Sequence, residues 1–176
     1  PRGVAVASDG SVYIADSGNH RIQKFTSAGV FVSKWGDVAF GTGDGDFSHT
    51  GGVAVAPDGS VYVADSGNHR IQKFTSDGVF VSKWGELGWA WEEGGKFFWP
   101  TGLTVASDGR VYVSDRDNDR IQIFDQEGKF LGMWTGFTMP CSVAIGPDGT
   151  VYVPELRSRL SIVDASGEVL ARWGGE

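Results

Sequence analysis

The chain repeats itself, and this constrains its fold more than any other feature. Residues 3–36 read GVAVASDGSVYIADSGNHRIQKFTSAGVFVSKWG, and residues 52–85 repeat that string with only Ser8/Pro57, Ile14/Val63 and Ala28/Asp77 changed. Two looser copies follow, at 102–134 and 142–174. The tryptophans that close the copies, Trp35, Trp84, Trp134 and Trp173, lie 49, 50 and 39 residues apart. The unit is therefore roughly 40 residues, with longer joins after the first and second copies. Such a chain folds as stacked supersecondary units, each packing on its neighbours.

Each copy has the same internal order. An alternating run such as Val53-Ala-Val-Ala56 meets an Asp-Gly turn at Asp58-Gly59. A second run, Ser60 to Ala64, meets a polar loop, Asp65-Ser-Gly-Asn68. A third run, Arg70 to Phe74, meets the turn at Asp77-Gly78, and a fourth ends at Trp84. Period-two runs of β-branched and aromatic residues between Asp-Gly turns predict antiparallel hairpins, and glycine supplies the positive φ of the turn. Four short strands make a sheet that cannot bury its own apolar faces, so the sheets must stack radially as blades of a β-propeller. The predicted fold is all-β, one domain over 1–176, with four blades near 1–36, 50–85, 100–134 and 140–174.

The string Val-Tyr-Val-Ala-Asp-Ser-Gly-Asn-His-Arg-Ile-Gln-Lys-Phe at 61–74, after Gly-Val-Ala-Val and Asp-Gly, resembles the NHL-repeat β-propeller family. The triplet of that family's name is Asn-His-Arg here, at 19–21 and 68–70. It becomes Asn118-Asp-Arg120 in the third copy, and the fourth departs further with Glu155-Leu-Arg-Ser-Arg159. The resemblance implies a propeller, commonly of six blades, used mainly to bind protein, RNA or ligand on one face. Four blades that do not close would expose an apolar sheet face at each end, and such faces seek a partner. Either the natural protein is longer, or chains associate, or the four blades close; a natural or engineered fragment that assembles with other copies of itself is the alternative to a binding module.

Net charge is −7, which disfavours a phosphate backbone as partner. No stretch approaches the roughly 18 apolar residues of a membrane span. A single cysteine, Cys141, allows no internal disulfide and reads as a small buried hydrophobe.

Asp16/Arg21, Asp65/Arg70, Asp115/Arg120 and Glu155/Arg159 recur in every copy, which marks them as blade-building. The acid is expected to accept backbone N–H groups of the loop after it. His20, His69 and His49 invite zinc, but the third equivalent of the first two is Asp119 and the fourth copy has no histidine. Gly43-Asp-Gly-Asp46 lacks the ligand spacing of a calcium loop. The innermost runs, starting at Gly3, Gly52, Gly102 and Ser142, offer no carboxylate or imidazole for a metal-dependent lyase or hydrolase of the propeller type. The expectation is a non-enzymatic binding or scaffold module with no cofactor and no metal.

The binding candidates lie where the chain breaks its own repeat. The joins Gly36 to Thr50 and Gly85 to Pro100 should share one face with the polar loops. The second join holds Trp89, Trp91, Phe97, Phe98 and Trp99 within eleven residues. Phe47 is read as the counterpart of Phe98, packed between blades. Trp89 and Trp91 have no counterpart in the first join and are the expected anchors for a protein or peptide, since exposed loop aromatics dominate interfaces. Arg116, Asp117 and Arg157 replace the Ser-Gly-Asn-His loop and are expected to add charge selectivity.

Overall fold

The computed structural model describes residues 1–36, 40–89 and 93–175, which form four antiparallel sheets, each a four-stranded meander. Blade one is β1 (Gly3–Val6), β2 (Val12–Asp16), β3 (Arg21–Phe25) and β4 (Phe31–Trp35). Blade two is β5 (Thr50–Val55), β6 (Val61–Asp65), β7 (Arg70–Phe74) and β8 (Phe80–Trp84). Blade three is β9 (Pro100–Val105), β10 (Val111–Asp115), β11 (Arg120–Phe124) and β12 (Phe130–Trp134). Blade four is β13 (Ala144–Ile145), β14 (Val151–Glu155), β15 (Arg159–Val163) and β16 (Val169–Gly174).

Local chemistry sets the meander. In the first turn of every blade an aspartate accepts the backbone N–H two residues on: Asp9 from Ser11, Asp58 from Ser60, Asp108 from Arg110 and Asp148 from Thr150. The glycine between them has φ near +85° in blade two, a conformation a side chain resists. Between the second and third strands, blades one to three make one 3-10 turn and then a left-handed residue, His20, His69 or Asp119.

The hydrophobic core is three seams, and each seam uses the same two faces. One face of blade one (Tyr13, Ala15, Ile22, Trp35) packs on the opposite face of blade two (Val53, Val61, Val63, Phe74). Blade two then offers Tyr62, Ala64, Ile71 and Trp84 to Leu103, Val111, Val113 and Phe124 of blade three. Blade three offers Tyr112, Ile121 and Trp134 to Val143, Val151, Val153 and Val163 of blade four. At each seam the closing tryptophan lies across a turn glycine of the next blade. A Cβ on Gly78 would come within 2.6 Å of the Trp35 ring, and Gly128 and Gly167 are blocked in the same way by Trp84 and Trp134.

The two end faces do not cover each other. Val4 and Val6 are 67% and 66% exposed, whereas Val53, the equivalent of Val4, is 5% exposed. Trp173 is 59% exposed, against 9% for Trp134.

Candidate functional site

The recurring acid of blades two, three and four anchors the join before it. Asp65 accepts hydrogen bonds from Arg70 Nε (2.7 Å), Asn68 Nδ2 (2.9 Å), Gln72 Nε2 (3.1 Å) and the Ser48 backbone N–H (2.8 Å). Asp115 repeats this with Arg120, Asn118, Gln122 and the Phe98 N–H. The backbone donor thus belongs to the join before the blade, not to the loop after it as expected; that loop contributes the asparagine side chain instead. The guanidinium completes the clamp by donating to join carbonyls: Arg70 to Thr42, Gly43 and Asp46, and Arg120 to Glu93 and Lys96. The glycine-rich stretch at 43–46 is therefore a carbonyl cradle for Arg70.

Burial pushes the Asp65 and Asp115 carboxyls up, against the pull of these hydrogen bonds. Burial acts the same way on Asp16 and Glu155, but their hydrogen bonds outweigh it and hold both below the usual range. In blade four, Arg159 and Ser161 complete the set around Glu155.

Once clamped, each join drops one phenyl ring into a seam: Phe47, Phe97 and Phe137 are all buried. The counterpart of Phe47 is therefore Phe97 rather than Phe98. Phe98 stands where the first join has Ser48, and both residues donate their backbone N–H to the blade's aspartate.

The next residue of each join, His49, Trp99 or Met139, has a positive φ. Its N–H is taken up by the left-handed residue of the preceding blade: His49 by His20 Nδ1 (3.0 Å), Trp99 by His69 Nδ1 (3.1 Å) and Met139 by Asp119 Oδ1 (2.6 Å). The repeat-position histidines are thus acceptors for backbone. A metal would compete with those bonds. Among the described residues no group of three or more potential ligands gathers. Burial holds the His69 imidazole below its ordinary pKa, so it stays neutral and able to accept.

These contacts assemble a row of aromatic rings on the face shared by joins and 3-10 turns. His20 touches Phe40 (4.5 Å between centroids) and His49 (5.0 Å), and His49 touches Trp99 (5.8 Å). Trp99 touches His69 (6.1 Å), and His69 touches Phe98 (5.7 Å). Trp89 stacks on Phe98 at 4.8 Å and 17°, while remaining 70% exposed.

Of the residues singled out from sequence, Trp89 and Arg116 meet in this row. The Arg116 guanidinium lies 5.8 Å above the Trp99 ring. It is also held in a two-bond pair by Asp117 (2.7 and 3.1 Å), whose N–H donates to Phe98 O. Arg116 is therefore an ion pair capped by an aromatic ring. Arg157 is exposed in the turn of blade four, with a positive φ, and makes no ion pair among the described residues. Trp91 lies outside the described residues. Phe40, His49, His69, Phe98 and Trp99 were missed as a set, although the matched positions of His49 and Trp99 before β5 and β9 were a visible signal.

Arg116 also borders a groove of about 610 Å³ between β1, β5, β9 and the segment that leads into β13. Its walls are mostly glycine backbone and valine, with Thr101, Ser142 and Leu156. Cys141 lines it too, half-buried rather than fully buried as expected, and burial raises its thiol pKa.

Sequential four-stranded blades around such a groove define a β-propeller array. The NHL repeat matches residues 1–25, 47–74 and 97–124, so the first three blades carry segments similar to that repeat. None of the curated proteins matches it. Among solved structures it is similar to streptogramin B lyase (20% identity, TM-score 0.74, covering 98% of this chain and 53% of that one). A catalytically inactive virginiamycin B lyase from Staphylococcus aureus with quinupristin gives 17% identity and TM-score 0.72, covering 99% and 55%. Kuenenia stuttgartiensis hydrazine synthase gives 19% and 0.74, covering 98% and 48%. At these identities the likeness is one of fold, and the chain spans about half the length of each structure.

Proposed function

We propose that the join face is a non-catalytic recognition surface for a protein or peptide, centred on Trp89 and the aromatic row behind it. The observation that carries this reading is the Trp89–Phe98 stack. An exposed indole is held flat on a second ring by a join that is itself clamped through Asp115 and Arg120. A rigid aromatic anchor loses little freedom on binding, which is why tryptophan and arginine dominate interface energetics. The row offers a strip of rings to apolar or aromatic side chains of an extended segment, and the Arg116–Asp117 pair offers one donor edge and one acceptor edge beside it.

The lyase likeness suggests a rival, a metal-dependent lyase acting in the groove. The described groove lining contributes neither carboxylate nor imidazole, which supports recognition over that chemistry. Peptides selected from a displayed library on the wild-type chain should lose binding to a variant with Trp89, Trp91 and Arg116 all changed to Ala, while the thermal transition of that variant stays cooperative. Retained binding would remove this face as the site. A stoichiometric metal in the purified protein, required for turnover of quinupristin, would favour the lyase.

A further inference from the structure

Every seam in this molecule joins a tryptophan face to a glycine face, and one of each is left over. The unused tryptophan face belongs to blade four: Trp173, Ile162, Leu160 and Tyr152 occupy the positions of Trp35, Lys24, Ile22 and Tyr13 in the strand registers. The unused glycine face belongs to blade one: Val4, Val6, Phe25 and Gly29.

We infer that blade four of one copy docks on blade one of a second copy, forming the same seam that already joins the blades within the chain. Three observations carry this. First, the receiving face of blade one is almost the face of blade two, which already receives Trp35. Phe25, Gly29, Val4 and Val6 stand for Phe74, Gly78, Val53 and Val55; Ile14 stands for Val63, and Ala28 for Asp77, which pairs with Lys24 across the first seam, where blade four carries Ile162 in place of that lysine. Second, the hole is open. Gly29 has φ +77° like its counterparts, yet a Cβ there would meet nothing within 4 Å, while Gly78, Gly128 and Gly167 are each covered by a tryptophan. Third, the polar supplement of the seam is also waiting. Tyr13 Oη donates to Ser76 O (3.0 Å) and Tyr62 Oη to Gln126 O (3.3 Å) across the first two seams. Tyr152 and the exposed Ser27 occupy those two positions on the unused faces.

A head-to-tail seam generates a ring if the rotation closes and a fibre if it does not. Two copies give eight blades, within the usual range for propellers, and use both leftover faces twice. Blade four is the less regular partner, since Pro154 stands where the other tryptophan faces carry Ala15, Ala64 and Ser114.

The test is solution mass by light scattering and sedimentation across a concentration series, on the 176-residue chain. The expected species is twice 18.8 kDa. Trp173→Glu and Val4→Glu, on opposite faces and both at solvent-exposed sites of the single chain, should each weaken association at least about 30-fold, the scale of losing a hot spot. An equimolar mixture of the two variants retains one intact seam and should associate more strongly than either alone. Circular dichroism melts confirm that each variant is folded, with Trp173→Ala as a milder substitute. A wild-type chain that stays monomeric throughout would overturn the inference. So would sensitivity to only one of the two variants, because like faces would then be pairing. Open-ended fibres would overturn the closed pair.

Discussion

Blades one and two have almost the same sequence but not the same environment. Arg70 is 9% exposed at its side chain and Arg21 is 28% exposed, although each donates its Nε to the aspartate five residues before it. The carboxyl of Asp65 is pushed up by burial, whereas that of Asp16 is held down. The difference lies in what comes before each blade. The described residues of the join before blade two wrap three carbonyls around Arg70 and lay Ser48 N–H on Asp65. The glycine face of blade two is also covered by blade one. The comparison separates what a repeat specifies by itself, its strands and turns, from what it acquires from a neighbour, its burial and electrostatics.

The largest test of that separation is deletion of the guanidinium. Arg70→Ala should cost about 3–5 kcal/mol, because it strands a buried carboxylate and three carbonyls. Arg21→Ala should cost less, about 1.5–3 kcal/mol, the scale of one hydrogen bond to a charged group, because Asp16 is buried but its arginine is part-exposed. Urea denaturation of the two variants measures both, and equal losses would show that the join adds nothing to the pair. The next largest concerns the seam. Gly78→Ala and Gly29→Ala share the strain of a positive φ, but only the first drives a methyl group into a tryptophan. In the single chain, at concentrations below those at which copies associate, Gly78→Ala should therefore be the more costly by about 1–3 kcal/mol, a typical overpacking penalty, read from the shift in denaturation midpoint.

A smaller effect is expected from pH. His69 has a folded-state pKa below its ordinary 6.5, so the unfolded chain binds the proton more tightly. Its contribution is fully present above about pH 6.5 and is lost as pH falls through the depressed value. The fall in melting temperature between neutral and mildly acidic pH should be reduced in His69→Asn, in which the Asn side chain can still accept the Trp99 N–H. An unchanged fall would assign the acid sensitivity elsewhere. The smallest effect on stability is that of Trp89→Ala, under about 1 kcal/mol, since an exposed ring stacked on one neighbour contributes little to folding. A larger loss would make Trp89 part of the fold rather than of a recognition surface.

The blades were legible in the sequence because their signals are local. Asp58-Gly59 and the alternation of Val61 to Asp65 act within a few residues. The recurring Asp and Arg were legible as structural, but their partners were not: Thr42 and Asp46 lie 28 and 24 residues before Arg70 and reach it only once the blades stack. The same distance hid the aromatic row, whose links pair His20 with His49 and His69 with Trp99. Matching Phe98 to Phe47 overlooks a signal in the sequence: counting back five residues from Gly102 and Gly52 pairs Phe97 with Phe47. The clamp on the aspartate, which pairs Ser48 with Phe98, agrees with that alignment. Arg116 and Asp117 were two separate charges on the page, and nothing in a pair of adjacent residues states that their side chains turn toward each other.

The tryptophan-on-glycine seam also bears on descent. Because each blade carries a knob on one side and a matching hole on the other, a copied blade can be inserted between two existing ones without any seam being redesigned. The new unit meets its predecessor's knob with its own hole and passes its knob onward. Duplication in such an array is close to neutral at the moment it happens. Blades one and two, with three changes between their thirty-four-residue cores, have the form such an event would leave.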